Sequence, residues 1–360
     1  MSNDIKMSGN KGEWSELYVF LRLLSEGRVY AANERVEKIA DVYYPIRKIM
    51  REETPGEVID YVILDDSVDV SKKTGNVLTI SRADFGKHAD ALFNELLVRK
   101  GGSFELERIA RFANGIEVTK LKAPSKDKAD IQMEIADIYT GYVREVGFSI
   151  KSEIGNSPTL LNAGETTNFI YRVEGISAEQ ADEINAIETK NKIKDRMARI
   201  HELGGIVSYF GMNNTVFRRN LILIDTLMPD IIGNLLLYYY QTDESYSCDL
   251  VRLLGKRDPI GYKDERIYEY KYRKFLCACA LGLRPGSVWN GKDEATGGYI
   301  IVTHNGEVLA YSIYNRDSFE KYLLDNTKLE RASTTRHKYM KLYIENGQMY
   351  LKLNLQVRFS

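Results

Sequence analysis

The chain reads as a mixed α/β (α+β) protein, because helical and strand signals interleave along its whole length. Helical periodicity occupies 13–26 and 177–203, a strong hairpin pattern spans 130–151, and the closing "LKLNLQVRF" alternates strictly between apolar and polar residues.

Taken in order, residues 13–26 place Leu17, Phe20, Leu21 and Leu24 on one arc and predict the first helix. A mixed region follows to about 120, with turn signals at "TPGE" and "KTGN". The polar "KAPSKDKAD" (122–130) marks a boundary before the hairpin. Residues 177–203 predict one helix opened by Ser177 and Glu179. "IVSYFGM" and "NLILIDT" read as short strands. From about 290 strands dominate: "YIIVTHNGEVLAYSIY" has an Asn-Gly hairpin signal at 305–306, "RDSFEKYLLDN" reads as a short helix, and strands complete the chain. Three regions are expected: an N-terminal helical and mixed region (1–125), a central core opened by the hairpin (126–260) and a strand-rich C-terminal region (261–360).

At 360 residues with 44% hydrophobic residues, the chain can bury one large or two moderate cores. It contains no run near ~18 apolar residues, and the opening "MSNDIKMSGNKGEWSE" lacks the apolar stretch of a secretory signal. Three cysteines and four histidines make neither a disulfide framework nor a convincing metal set. A reduced, cytoplasmic setting is expected. The formal net charge of -1 argues against a passive nucleic-acid coat, though not against an enzyme that combines a basic groove with an acidic metal site.

The chemistry concentrates in "ADIQMEIADIYTGYVREVGFSIKS". With a two-residue turn at Thr140-Gly141, Ile131 faces Ile150, Met133 faces Phe148 and Ile135 faces Val146. That register sets Asp130 opposite Lys151 at the open end, ~5 Å apart between Cβ atoms. The pair serves either as a cross-strand ion pair or as part of a metal-dependent phosphodiesterase site. In the second case the aspartate holds a divalent cation, and the lysine orients the attacking water and stabilises charge on the phosphate. Mg²⁺ needs further oxygens. In the common nuclease pattern a second acid lies two residues before the lysine, and here that position is Ser149. Glu16 is a candidate replacement, because it projects into the apolar arc of the first helix, where a carboxylate is costly unless paired or metal-bound. A structural ion pair would account for it equally well. Glu13, in the first turn, is explained by the helix dipole.

The blocks "GNKGEWSELYVFLRLL", "GFSIKSEIGNSPTLLNAGETTNFIY" and "YLLDNTKLERASTTRHKYMKLYIENGQMYLKLNLQVRF" resemble the HpaII-type restriction endonucleases, in the same order and across nearly the whole chain. The resemblance implies a PD-(D/E)XK nuclease-like central mixed sheet flanked by helices. It implies a type II enzyme that cuts double-stranded DNA at CCGG after the first cytosine with Mg²⁺, leaving 5′-phosphate and 3′-hydroxyl ends. It further implies a partner cytosine methyltransferase, and a homodimer suits a palindromic target. Asp130 and Lys151 would carry the catalytic motif, with Ser149 as a hydrogen-bonding spacer and the Ile150 carbonyl as a further metal ligand. The chain also resembles CCGG-group enzymes in which serine replaces the usual acid and a downstream glutamate substitutes, which makes Glu165 the rival of Glu16. Ala129 stands where the pattern has proline. The opposing reading is an inactive sequence-specific DNA-binding protein on the same fold.

Guanine edges in the major groove suit Arg or Lys, and amides suit other base edges. Asn354, Gln356 and Arg358 form the polar row of the last strand and are candidate DNA contacts, or simply its solvated face. Arg336, His337 and Lys338 in "STTRHKY" have a phosphate-clamp composition. Arg218 and Arg219 in "NNTVFRRN" are further candidates, and Gly155-Asn156-Ser157 is a candidate anion cradle.

Overall fold

A computed structural model describes residues 6–72, 75, 77–122, 129–138, 140–155, 157–312 and 316–360. The chain forms two compact units, residues 1–158 with 293–319, and residues 159–292 with 320–360. These units cut across the three regions expected from sequence. The boundary segment at 122–130 and the cradle at 155–157 fall partly outside the described residues.

The first unit is built on a nine-stranded mixed sheet with helices against it. Its strands run in the order 28–32, 308–312, 298–302, 143–152, 131–136, 38–54, 57–63, 67–72 and 78–81. The Lys38–Thr54 strand is long enough to pair Arg28–Ala32 with its first half and Ile131–Ala136 with its second. Six strands are thereby joined into a ring of pairings. The Gly298–Val302 strand lies parallel to Val143–Ser152 and antiparallel to Val308–Ser312, whose connection closes around Gly306 at φ 86. That is the Asn-Gly hairpin expected from sequence.

Helix Lys11–Glu26 begins two residues earlier than its predicted limit. A capping box starts it: Glu13 N–H donates to the Asn10 side chain, and the Asn10 N–H donates to the Glu13 carboxylate. Gly27 in the left-handed region ends it. Trp14, Leu17, Phe20, Leu21 and Leu24 are fully or almost fully buried, so the helix runs through the core with Glu16 on its flank.

The hairpin keeps its predicted faces but not its predicted register. Ile131 pairs with Phe148, Met133 with Val146 and Ile135 with Arg144. The turn is longer than two residues because Asp137 organises it: its N–H donates to the Tyr142 carbonyl and its carboxylate accepts from the Thr140 N–H. A slip of two preserves which face each side chain occupies. It does remove Asp130 from its place opposite Lys151.

In the second unit, strands 206–212, 168–174, 348–354 and 342–345 form one antiparallel sheet, and 159–161, 357–359 and 327–329 form another. The predicted final strand is therefore two, in different sheets, broken at Leu355-Gln356. The predicted helix at 177–203 is also two, Ala178–Asn185 and Lys192–Glu202. The buried Arg196 guanidinium fills the break by donating to the carbonyls of Asn185, Ile187 and Met340. "NLILIDT", expected as a strand, mostly belongs to helix Thr215–Ile224, capped by the Asn214 side chain and burying Phe217 and Leu221. Its short apolar run fits either period, and the cap decides. Among the described residues no single helix is long and apolar enough to cross a membrane.

Candidate active site

The hairpin strand 131–136 starts one residue after Asp130, so among the described residues the edge of strand 143–152 beyond Phe148 has no backbone partner there. Asp130 fills it with its own groups. Its N–H donates to the Phe148 carbonyl at 2.8 Å, while its Oδ2 accepts from Ile150 N at 2.8 Å and from Ser149 Oγ at 3.1 Å. Ser149 is buried and anchors the aspartate. N–H and C=O of one strand residue face the same edge, so the Ile150 carbonyl also faces the Asp130 side. Gly147 makes the close approach possible, since a Cβ there would lie 2.5 Å from Ala129 Cβ.

The other oxygen, Asp130 Oδ1, lies 3.3 Å from Lys122 Nζ, and the same ammonium lies 3.5 Å from Glu16 Oε1. Helix Lys11–Glu26 and the start of the hairpin thus deliver two acids to one cation. The Asp130 and Glu16 side chains are only 12% and 15% exposed. Burial, reinforced by the Asp130 charge, holds the Glu16 carboxyl up at about 7. Its Oε2 is buried without a hydrogen-bond partner among the described residues.

Lys151 follows Ile150 on the same strand, with its ammonium 5.9 Å from the centre of the Tyr299 ring. It makes no ion pair with Asp130 among the described residues, which corrects the expected cross-strand pair; the two-residue change of register is the cause. Burial lowers its pKa below the usual lysine value; Asp130 opposes that shift and the Lys122 charge adds to it. Lys122 experiences the reverse. Burial lowers its pKa, but Glu16 and Asp130 more than offset that and leave it raised. Lys122 was missed from the sequence, where it sits at the head of a polar stretch with no periodicity. A cavity of about 780 Å³ opens beside Glu16, Ile150 and Lys151 and is rimmed by Lys11, Arg99 and Lys100. Such a basic rim attracts a polyanion.

Glu165, the rival acid, belongs to the second unit, where it pairs with Lys338 at 2.9 Å. Glu16 is the acid that shares a counter-ion with Asp130. No three His, Cys, Asp or Glu residues gather among the described residues. Two carboxylates, one of them with an orphaned buried oxygen, still fit Mg²⁺, which commonly uses one or two carboxylates plus substrate phosphate and water.

The predicted DNA-contact residues all lie in the second unit. Asn354 is buried, not on a wet face, and donates to the Gly164 carbonyl at 2.8 Å and to Asn168 Oδ1 at 2.7 Å. Arg358 donates to Glu330 at 2.7 Å, and Arg219 to the Trp289 carbonyl at 2.7 Å. Both arginines therefore have structural partners. Gln356 is half-buried, as is His337, whose carbonyl accepts from Asn168. Arg336, Lys338 and Arg218 are exposed, and Arg218 lies on helix Thr215–Ile224.

A central mixed sheet flanked by helices, presenting two half-buried acids and two lysines at one sheet end, is consistent with a nuclease-like protein. The comparisons make the class specific. The HpaII restriction endonuclease family model matches residues 10–359. The type II restriction enzyme HpaII of Haemophilus parainfluenzae is 35% identical over 357 residues, covering 98% of each chain. The chain belongs to the HpaII restriction endonuclease family. No solved structure matches it.

Proposed function

We infer that the chain is a Mg²⁺-dependent type II restriction endonuclease with a PD-(D/E)XK-like core. It cuts double-stranded DNA at CCGG after the first cytosine and works beside a cytosine methyltransferase that protects the host sites. The observation that carries this reading is the meeting of Asp130 and Glu16 at one cation beside Lys151. The sequence specificity and cut position rest on family membership.

Asp130, Glu16 and the Ile150 carbonyl would hold Mg²⁺, which supplies charge neutralisation at the phosphate and a more acidic water. Ser149 and the Ile150 N–H fix one oxygen of Asp130, so its carboxylate cannot rotate away. Lys151 orients the attacking water for in-line displacement, and its lowered proton affinity suits it to exchanging a proton with that water. Lys11, Arg99 and Lys100 hold the phosphate backbone. Gln356, Arg336, His337, Lys338 and Arg218 serve as DNA contacts of the second unit, and a dimer would match the two-fold target.

The test is incubation with unmethylated plasmid in Mg²⁺ and in EDTA, with sequencing of the ends. Fragments ending at CCGG in Mg²⁺ alone are expected. A second reading, an inactive DNA-binding protein, draws support from the serine at position 149. Tight duplex binding without cleavage would favour it.

A further inference from the structure

We propose that Lys122 is a built-in counter-ion that occupies the cation position of the Asp130–Glu16 pair and must be displaced before a metal ion binds. The inference rests on the reading of that pair as the metal site and adds a step that gates its loading.

The geometry carries it. Asp130 has one oxygen engaged by Ser149 Oγ and Ile150 N, so Oδ1 is its less committed ligand atom. Lys122 Nζ lies 3.3 Å from that Oδ1 and 3.5 Å from Glu16 Oε1. A divalent ion held by the two acids would draw on the same Asp130 oxygen that the Lys122 ammonium now occupies. Without any cation, two poorly solvated carboxylates would face each other, and like charges in such a setting strongly oppose joint ionisation. Lys122 relieves that repulsion in the metal-free protein.

The side chain is also built to leave. It is 53% exposed, against 12% and 15% for its partners. Rotation about its own flexible stem returns the ammonium to water at little cost, whereas neither acid can follow it. Lys151, by contrast, contacts neither acid closely enough to form an ion pair among the described residues. The two lysines therefore divide the work: Lys151 faces the reacting water, and Lys122 holds the place of the metal.

The experiment is calorimetric titration of the DNA-free protein with Mg²⁺, together with melting in EDTA and in Mg²⁺. The comparison includes Lys122→Met, Lys100→Met and Asp130→Asn. Lys100 lines the same cavity and has the same charge but makes no ion pair with the acids among the described residues. Lys122→Met is expected to tighten Mg²⁺ binding roughly tenfold, clearly more than Lys100→Met does. It should also melt a few degrees below wild type in EDTA, with the gap closing in Mg²⁺. Gains that are equal for both lysine variants would reduce the effect to a general field and overturn the displacement. An unchanged or weaker affinity in Lys122→Met, or an unchanged melting temperature in EDTA, would overturn it as well. Those outcomes leave the metal site standing provided Asp130→Asn abolishes binding. Mg²⁺ binding that survives Asp130→Asn would overturn the site itself.

Discussion

The two oxygens of Asp130 face different partners, and that split assigns work to each neighbour. Oδ2 is tied to the strand through Ser149 and Ile150, and Oδ1 is left to cations. Lys151 is not needed to hold Asp130, so its removal should spare the fold. Lys151→Ala is expected to abolish cleavage while duplex binding in EDTA, read by fluorescence anisotropy, stays near wild type. Loss of binding would instead make Lys151 a DNA anchor. Glu16 sets a pH signature. Its carboxyl titrates near 7 in the folded protein against 4.5 as the reference value, so between those values the unfolded chain releases a proton that the fold retains. Metal-free stability should therefore fall from pH 4.5 to 7 by about 3 kcal/mol and level off above. Urea titrations in EDTA should show this slope in wild type and its loss in Glu16→Gln.

At the scale of elements, the hairpin and the last strand show what alternation does and does not encode. Period-two patterning placed Ile131, Met133, Phe148 and Ile150 on the correct face, because a shift by two leaves faces unchanged. It could not reveal the register, which depends on one side chain, Asp137, bonding within the turn. The helical angle of Glu16, inside the apolar arc of the first helix, marks it as an acid in need of a partner, and the fold sets it on the flank of that arc. Lys122 left no such trace, since its role depends on a loop meeting a helix more than a hundred residues away. In "LKLNLQVRF" the pattern continues through a change of sheet, so Asn354 reads as wet and is in fact enclosed. Asn354→Ala should lower stability by about 2 kcal/mol through its abandoned acceptors, with DNA affinity of the folded protein unchanged. Denaturation and anisotropy on the same sample separate the two effects. Gly147→Ala makes the complementary case. Its methyl group would press on Ala129, costing about 1–3 kcal/mol and weakening Mg²⁺ binding by moving Asp130. Calorimetry reads both.

At the scale of the whole molecule, the division into two units follows contacts rather than chain order, which is why a boundary drawn from polar composition near 125 misses it. The strand that carries Lys151 lies between Ile131–Ala136 and Gly298–Val302. Its first neighbour precedes it by a short turn. Its second belongs to a segment that returns only after the chain has built most of another unit.

That return has a consequence in time. During synthesis the Lys151 strand emerges with one edge paired, and the strand for its other edge follows about 145 residues later. At ribosomal speeds of about 5–20 residues per second, the wait is roughly 7–30 s. The sheet that aligns Asp130, Ser149 and Lys151 is completed only when most of the chain exists. In a growing chain the Asp130–Ser149–Lys151 cluster therefore stays in an unfinished frame until most of the protein has been made.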